Sequence, residues 1–274
     1  MTLTLDGPLL LAGSGNMGFA LLSGWLERGL DPARVIVQDP APPPRIKQTL
    51  DGHGIEVRAE VRSLSEPPAV IVVAVKPQVM DQVFPQLGQL ARKKTVVLSV
   101  AAGRRIDGFD ANLAPGTAVV RAMPNTPASV GRGITVAVGN AHVTPQQRDT
   151  CDHLLRAVGE VAWVDDENLM DAVTAVSGSG PAYVFYLAEC LAKAGADAGL
   201  PPDLAEQLVC WTVAGAGELL HRSDLNPTLL RQNVTSPNGT TFAALQVLMG
   251  EDGLAKLMHD AVAAAARRSR ELAK

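Results

Sequence analysis

Hydrophobic and polar positions follow two regimes along this chain. In the first half, short apolar runs at 9–12, 35–38, 70–74, 96–100 and 119–122 are separated by longer stretches with helical spacing. Runs with so little polar alternation suit strands buried on both faces, and their alternation with helices predicts a parallel, doubly wound sheet. Two further extended runs, 134–138 and 161–164, flank a helix predicted over 145–158 and extend the sheet at its edge. Beyond about Asp166 the strand signal stops. Helical periodicity broken by Gly and Pro predicts helices over 168–176, 182–198, 203–221, 240–249 and 254–272. The expected organisation is an α/β domain over 1–165 and an all-helical domain over 166–274.

Small residues and charge refine that outline. The stretches 192–198 and 213–217 are rich in Ala and Gly and call for close packing, which an intertwined homo-oligomer or an intrachain bundle would satisfy. In the last helix Leu254, Leu257, Met258, Ala261, Val262 and Ala265 form one stripe, and Arg267, Arg268 and Arg270 meet the negative end of its dipole. The 274 residues are 47% hydrophobic and carry a net charge of −4 without a basic stripe, which argues against a nucleic-acid partner. No apolar run has the length of a membrane span and the N-terminus lacks signal-peptide features, so a cytoplasmic location is expected. Cys151, Cys190 and Cys210 are odd in number and sit in apolar helical contexts, which predicts reduced, packed thiols. His53, His142, His153, His221 and His259 are scattered, and no metal-ligand or Ser-His-Asp spacing emerges. The expected chemistry therefore needs no metal and little acid–base help.

Two segments carry candidate chemistry. The strand at 9–12 runs into Gly13-Ser14-Gly15-Asn16-Met17-Gly18, which opens a helix. A glycine turn in that context is suited to a dinucleotide pyrophosphate, and Asp39 closes the next strand where an acid meets the adenosine ribose. Asp39 leans toward NADH, while Arg45 beyond the prolines leaves NADPH open. Near the other end, Asn233-Val234-Thr235-Ser236-Pro237-Asn238-Gly239-Thr240-Thr241 precedes an apolar helix, and its hydroxyls and unpaired amides suit a small carboxylate. Between them, Val75-Lys76-Pro77 and Ala101-Ala102-Gly103 leave central strands at the edge where ligands of such sheets bind, although Lys76 reads equally well as a solvated strand-end lysine. The proline-stiffened run 121–128 either presents Asn125 to a nicotinamide or substrate or serves as a rigid connection. Ser177-Gly178-Ser179-Gly180-Pro181 breaks one helix and starts another, as a hinge or as a pocket wall.

Taken in order, GSGNMG, AVKP, SVAAG, RAMPNTPASVGRG, DAVTAVSGSGPAYVF and NVTSPNGTT closely resemble the pyrroline-5-carboxylate reductase family over nearly the whole chain. The resemblance implies an α/β Rossmann domain followed by an all-α dimerisation domain, and assembly as a dimer or larger ring. It implies reduction of 1-pyrroline-5-carboxylate to L-proline by NADH or NADPH, the last step of proline synthesis. By position it implies cofactor contacts from Gly13, Ser14, Gly15, Asn16, Met17, Gly18, Val75, Lys76, Pro77, Ala102 and Gly103. Substrate contacts fall to Glu167, Val234, Ser236, Gly239, Thr240 and Thr241, with Thr241 hydrogen-bonded to the ring nitrogen. Asn238 departs from the family's usual glycine, and Asn is the residue that best replaces Gly at positive φ. Two rivals are a β-hydroxyacid dehydrogenase, which needs a lysine where Val184 stands, and a non-catalytic dinucleotide sensor.

Overall fold

The computed structural model describes residues 3–273. Its sheet is built from β1 (Leu9–Ala12), β2 (Val35–Gln38), β3 (Glu56–Arg58), β4 (Val70–Val73), β5 (Val96–Ser99), β6 (Ala118–Met123), β7 (Gly133–Gly139) and β8 (Gly159–Trp163). The helices packed with it are α1 (Asn16–Glu27), α2 (Pro44–Gly52), α3 (Met80–Gly88), α4 (Asp107–Asp110), α5 (Pro145–Arg156) and α6 (Met170–Val173). Then come α7 (Gly180–Asp197), α8 (Pro202–Arg222), α9 (Pro227–Asn233), α10 (Thr240–Leu248) and α11 (Leu254–Leu272).

Strand order is β3-β2-β1-β4-β5-β6-β7-β8. All neighbours are parallel except β6 and β7, which pair antiparallel with Ala122 opposite Ala137. The order reverses at β1 and β4, so the C-terminal ends of those strands open on the crevice where a doubly wound sheet takes ligands. Successive residues of β1 explain the burial: Leu9 and Leu11 pack with Leu21, Trp25 and Leu154 on one face, while Leu10 and Ala12 pack with Phe84 and Phe109 on the other. Both faces are dry, hence the unbroken apolar runs. Trp25 is wholly buried, and its indole N–H donates to the Leu154 carbonyl at 2.8 Å, which satisfies the one polar atom that burial strands.

Three local features differ from the sequence expectation. β3 is an edge strand of partly exposed residues and so carries no apolar run. α9 is a short helix capped by Asn226, whose side chain accepts from the Leu229 N–H. The helix expected over 168–176 is broken into a 3₁₀ turn at Glu167–Leu169, α6, and a π turn at Thr174–Gly178. There the Thr174 and Ser177 hydroxyls bond back to the Met170 and Val173 carbonyls, and a side chain on Gly178 would collide with Met123 Cε at 2.5 Å.

The chain divides into two compact units. One runs to Gly178 and takes in the chain from Ala266 onward; the other is Ser179–Ala265, so the compact division falls later than residue 165 and again within α11. The end of α11 belongs to the first unit because Ser269 Oγ donates to the buried Asp171 carboxylate at 2.6 Å. The second unit, taken by itself, packs α7 along α8 but buries almost nothing. α7 and α10 contain no buried residue, and in α8 only Ala205 and Val209 are buried. Phe185 is 68% exposed and Trp211 75%. The expectation of packed thiols therefore holds in this chain for Cys151 alone, since Cys190 and Cys210 lie on those same uncovered helices and are exposed.

Candidate active site

The glycine turn after β1 separates two jobs among its glycines. Gly13 holds φ +90°, and a Cβ there would lie 2.8 Å from the Ala74 carbonyl oxygen. A Cβ on Gly18 would lie 2.1 Å from the Gly13 carbonyl oxygen, so these two positions are closed by the fold itself. Gly15 differs: a Cβ there would meet nothing within 4 Å. It is the N-cap of α1, has no side-chain cap, and leads into a first turn without an acidic residue. The amides of Asn16, Met17 and Gly18 thus open on free space at the positive end of a helix dipole, a cradle that fits a pyrophosphate.

Asp39 is tied into this turn. Its Oδ2 accepts from the Ser14 N–H at 2.8 Å and the Ser14 hydroxyl at 2.7 Å, and its Oδ1 accepts from the Ala41 N–H at 3.0 Å. The carboxylate at the end of β2 and the loop after β1 therefore form one unit. Val75, Lys76 and Pro77 leave β4 beside it, Val75 half-buried and Lys76 exposed, with Pro77 opening a 3₁₀ turn. Ala102 is exposed after β5, and Gly103 turns the chain at φ +72°, where a Cβ would lie 3.4 Å from the Leu272 carbonyl oxygen.

Two sequence-assigned ligand residues are occupied by the protein. The buried Asn125 donates through Nδ2 to the Ser177 carbonyl at 3.2 Å and accepts through Oδ1 from the Ile134 N–H at 3.0 Å. Its carboxamide joins the end of β6 to β7 and to the π turn, so this side chain braces the segment. Glu167 Oε1 accepts from Arg121 at 2.9 Å and from the Ile106 N–H at 2.9 Å, while Oε2 stands 3.5 Å from Arg105. Arg121, only 4% exposed, is a charge inside the strand β6, and Glu167 neutralises it. Sequence reading overlooked this pair. The available signal was an arginine within the otherwise apolar AVVRAM, which demands a buried anion.

In the second unit, α9 ends at Asn233, and Thr235 ties the exit by donating its hydroxyl to the Arg231 carbonyl at 2.6 Å. The chain then turns through Ser236–Gly239, with the Gly239 N–H on the Ser236 carbonyl at 3.1 Å. Asn238 takes φ +58°, among the described residues the only positive φ outside glycine, as its replacement of glycine requires. Gly239 caps α10 without a side-chain bond, leaving the amides of Thr240 and Thr241 at an unshielded helix start. Ser236 and Thr240 are exposed, Thr241 is half-buried, and Val234 forms an exposed apolar shoulder. Among the described residues no group of three or more His, Cys, Asp or Glu could hold a metal, and no helix is long and apolar enough to cross a membrane.

Known proteins are similar to this chain over nearly its whole length. Residues 167–272 match the family model "Pyrroline-5-carboxylate reductase dimerisation", and residues 9–103 match "NADP oxidoreductase coenzyme F420-dependent". The chain is 38% identical to the pyrroline-5-carboxylate reductase of Pseudomonas aeruginosa over 95% of both chains. A solved pyrroline-5-carboxylate reductase from Coxiella burnetii superposes with a TM-score of 0.91 at 34% identity, covering 98% of this chain and all of that one. The Plasmodium falciparum pyrroline carboxylate reductase, solved with NADP bound, superposes with a TM-score of 0.83 at 26% identity over 98% of this chain and 99% of that one.

Proposed function

Because the chain belongs to the pyrroline-5-carboxylate reductase family, we propose that it reduces 1-pyrroline-5-carboxylate to L-proline at the expense of NADH or NADPH. The observation that carries this reading is the start of α10, where hydroxyls and amides follow the turn at Asn238 and no side chain makes a capping hydrogen bond. Amides of Thr240 and Thr241 and the Ser236 hydroxyl hold the substrate carboxylate, while the Gly239 N–H, bonded to the Ser236 carbonyl, fixes the turn that presents them. The Thr241 hydroxyl meets the ring nitrogen and orients the proton there. Val234 covers the apolar ring. When bound, the reduced nicotinamide supplies the hydride.

The chain's own residues have a limited task, because a protonated cyclic imine is already electrophilic. Positioning supplies most of the rate. Gly15 and the first turn of α1 hold the pyrophosphate, with Val75, Lys76, Pro77, Ala102 and Gly103 around the rest of the dinucleotide. The functional division we infer, 1–165 for the dinucleotide and 166–274 for substrate and self-association, is supported by the family match beginning at residue 167. Association as a dimer or larger ring belongs to the same reading, supported by the uncovered apolar side chains of α7 and α8. A cytoplasmic location is supported by three free thiols.

Oxidation of NADH or NADPH on addition of 1-pyrroline-5-carboxylate tests the reaction. Thr241→Ala should lower kcat/KM by about 10- to 100-fold, the worth of a hydrogen bond to a charged group. Full turnover and affinity in that variant would remove Thr241 from the scheme.

A further inference from the structure

Arg104 and Asp81 form an ion pair that the scheme above does not use. Resting on the reading of the crevice after β1 as the dinucleotide site, we infer that this pair straps together the segments leaving β4 and β5 and so positions the nicotinamide half of the cofactor. Val73 and Ser99, the last residues of those strands, are register partners, so the two segments leave the sheet side by side. One continues through Val75-Lys76-Pro77 into the first turn of α3, where Asp81 stands. The other continues through Ala102-Gly103 into Arg104, whose Nη2 donates to Asp81 Oδ1. The pair thus joins the two segments just beyond the residues assigned to the cofactor.

Its side chains are 28% and 82% exposed, and an exposed pair adds little to folding stability, so what it contributes is local. On the β6 side the loop after β5 is already held: Ile106 donates to Glu167 at 2.9 Å, and Arg105 stands 3.5 Å from the same carboxylate, which pairs with Arg121 of β6. On the β4 side the bridging side chain is Arg104, since Ala102 and Gly103 have none that can reach across. Strand order decides which half of the dinucleotide depends on the strap. β1 is flanked by β2 on one side and by β4, then β5, on the other. A pyrophosphate on the first turn of α1 sends one nucleoside each way, adenosine toward β2 and nicotinamide toward β4 and β5.

Equilibrium titration of the protein with NADH, NADPH and the fragment 5′-ADP tests this without turnover. In Arg104→Ala and in Asp81→Asn, affinity for the dinucleotide that the parent binds more tightly should fall about three- to fivefold, the worth of an exposed ion pair. The double variant should lose no more than either single one, and the difference from the parent should close at about 1 M salt. Affinity for 5′-ADP should not change, and the melting temperature should stay within about 2 °C of the parent. Unchanged dinucleotide affinity in both variants, or a loss that 5′-ADP shares in full, overturns the strap while leaving the dinucleotide site standing. A loss in Arg104→Ala that is absent from Asp81→Asn overturns it as well, because Arg104 then touches the dinucleotide directly. Failure of the parent protein to bind any of the three ligands overturns the site itself and the strap with it.

Discussion

Replacing Glu167 separates a brace from a ligand contact. In Glu167→Ala the Arg121 guanidinium, 4% exposed, loses the carboxylate at 2.9 Å, and the Ile106 N–H loses its acceptor at the same distance. Removing one partner of a buried pair costs about 3–5 kcal/mol, most of it from the stranded charge. Arg105 stands at 3.5 Å on the outer oxygen as a second cation, so the variant leaves two guanidinium groups together, with Asp107 at 4.0 Å facing Arg105. For a chain of this size that corresponds to a fall in melting temperature of roughly 6–20 °C. Glu167→Gln keeps an acceptor oxygen for both donors and should lose clearly less. The double change Arg121→Met with Glu167→Met should cost less than Glu167→Ala alone, since it leaves no charge behind. Thermal unfolding followed by circular dichroism, with KM for the imino acid measured on each variant, decides the matter. A Glu167→Ala protein that melts within about 2 °C of the parent while its KM rises tenfold would refute the bracing argument and restore Glu167 as a substrate contact.

Other consequences are open to direct measurement. Gly15→Val should leave the melting temperature unchanged, because nothing lies within 4 Å of the new Cβ, yet weaken dinucleotide binding by an order of magnitude or more in the same titrations. Gly18→Ala should instead destabilise the fold, its methyl falling 2.1 Å from the Gly13 oxygen. Asn238→Val should cost about 1–2 kcal/mol in denaturant unfolding, because a β-branched residue is strained at positive φ, while Asn238→Gly is tolerated. Burial, and after it the Asp152 carboxylate, pushes the Cys151 thiol up to about 12, so it should resist a thiol reagent at pH 8 that labels Cys190 and Cys210 in dissociated chains. As a folded-state value above the ordinary one, it stabilises fully below pH 9 and loses that contribution as pH climbs toward 12. Cys151→Val should flatten that alkaline fall in the urea midpoint.

What the chain's linear order determined was set by local rules. β1 and β2 begin and end where the apolar runs do, because a strand buried on both faces tolerates no polar interruption. The glycine turn and the positive φ at Asn238 were legible for the same reason, since backbone geometry and the residues that permit it are written side by side. β3 and α9 lacked such a signature, one being a partly exposed edge and the other a single capped segment. Only tertiary structure decided the fates of Asn125 and Glu167. Asn125 read as a polar residue at a strand end and Glu167 as a substrate contact implied by the resemblance, and both bond to groups far away in the chain: Ser177 for Asn125, and Ile106 and Arg121 for Glu167. A buried donor or charge takes the nearest acceptor in space, and sequence spacing does not say which one that will be.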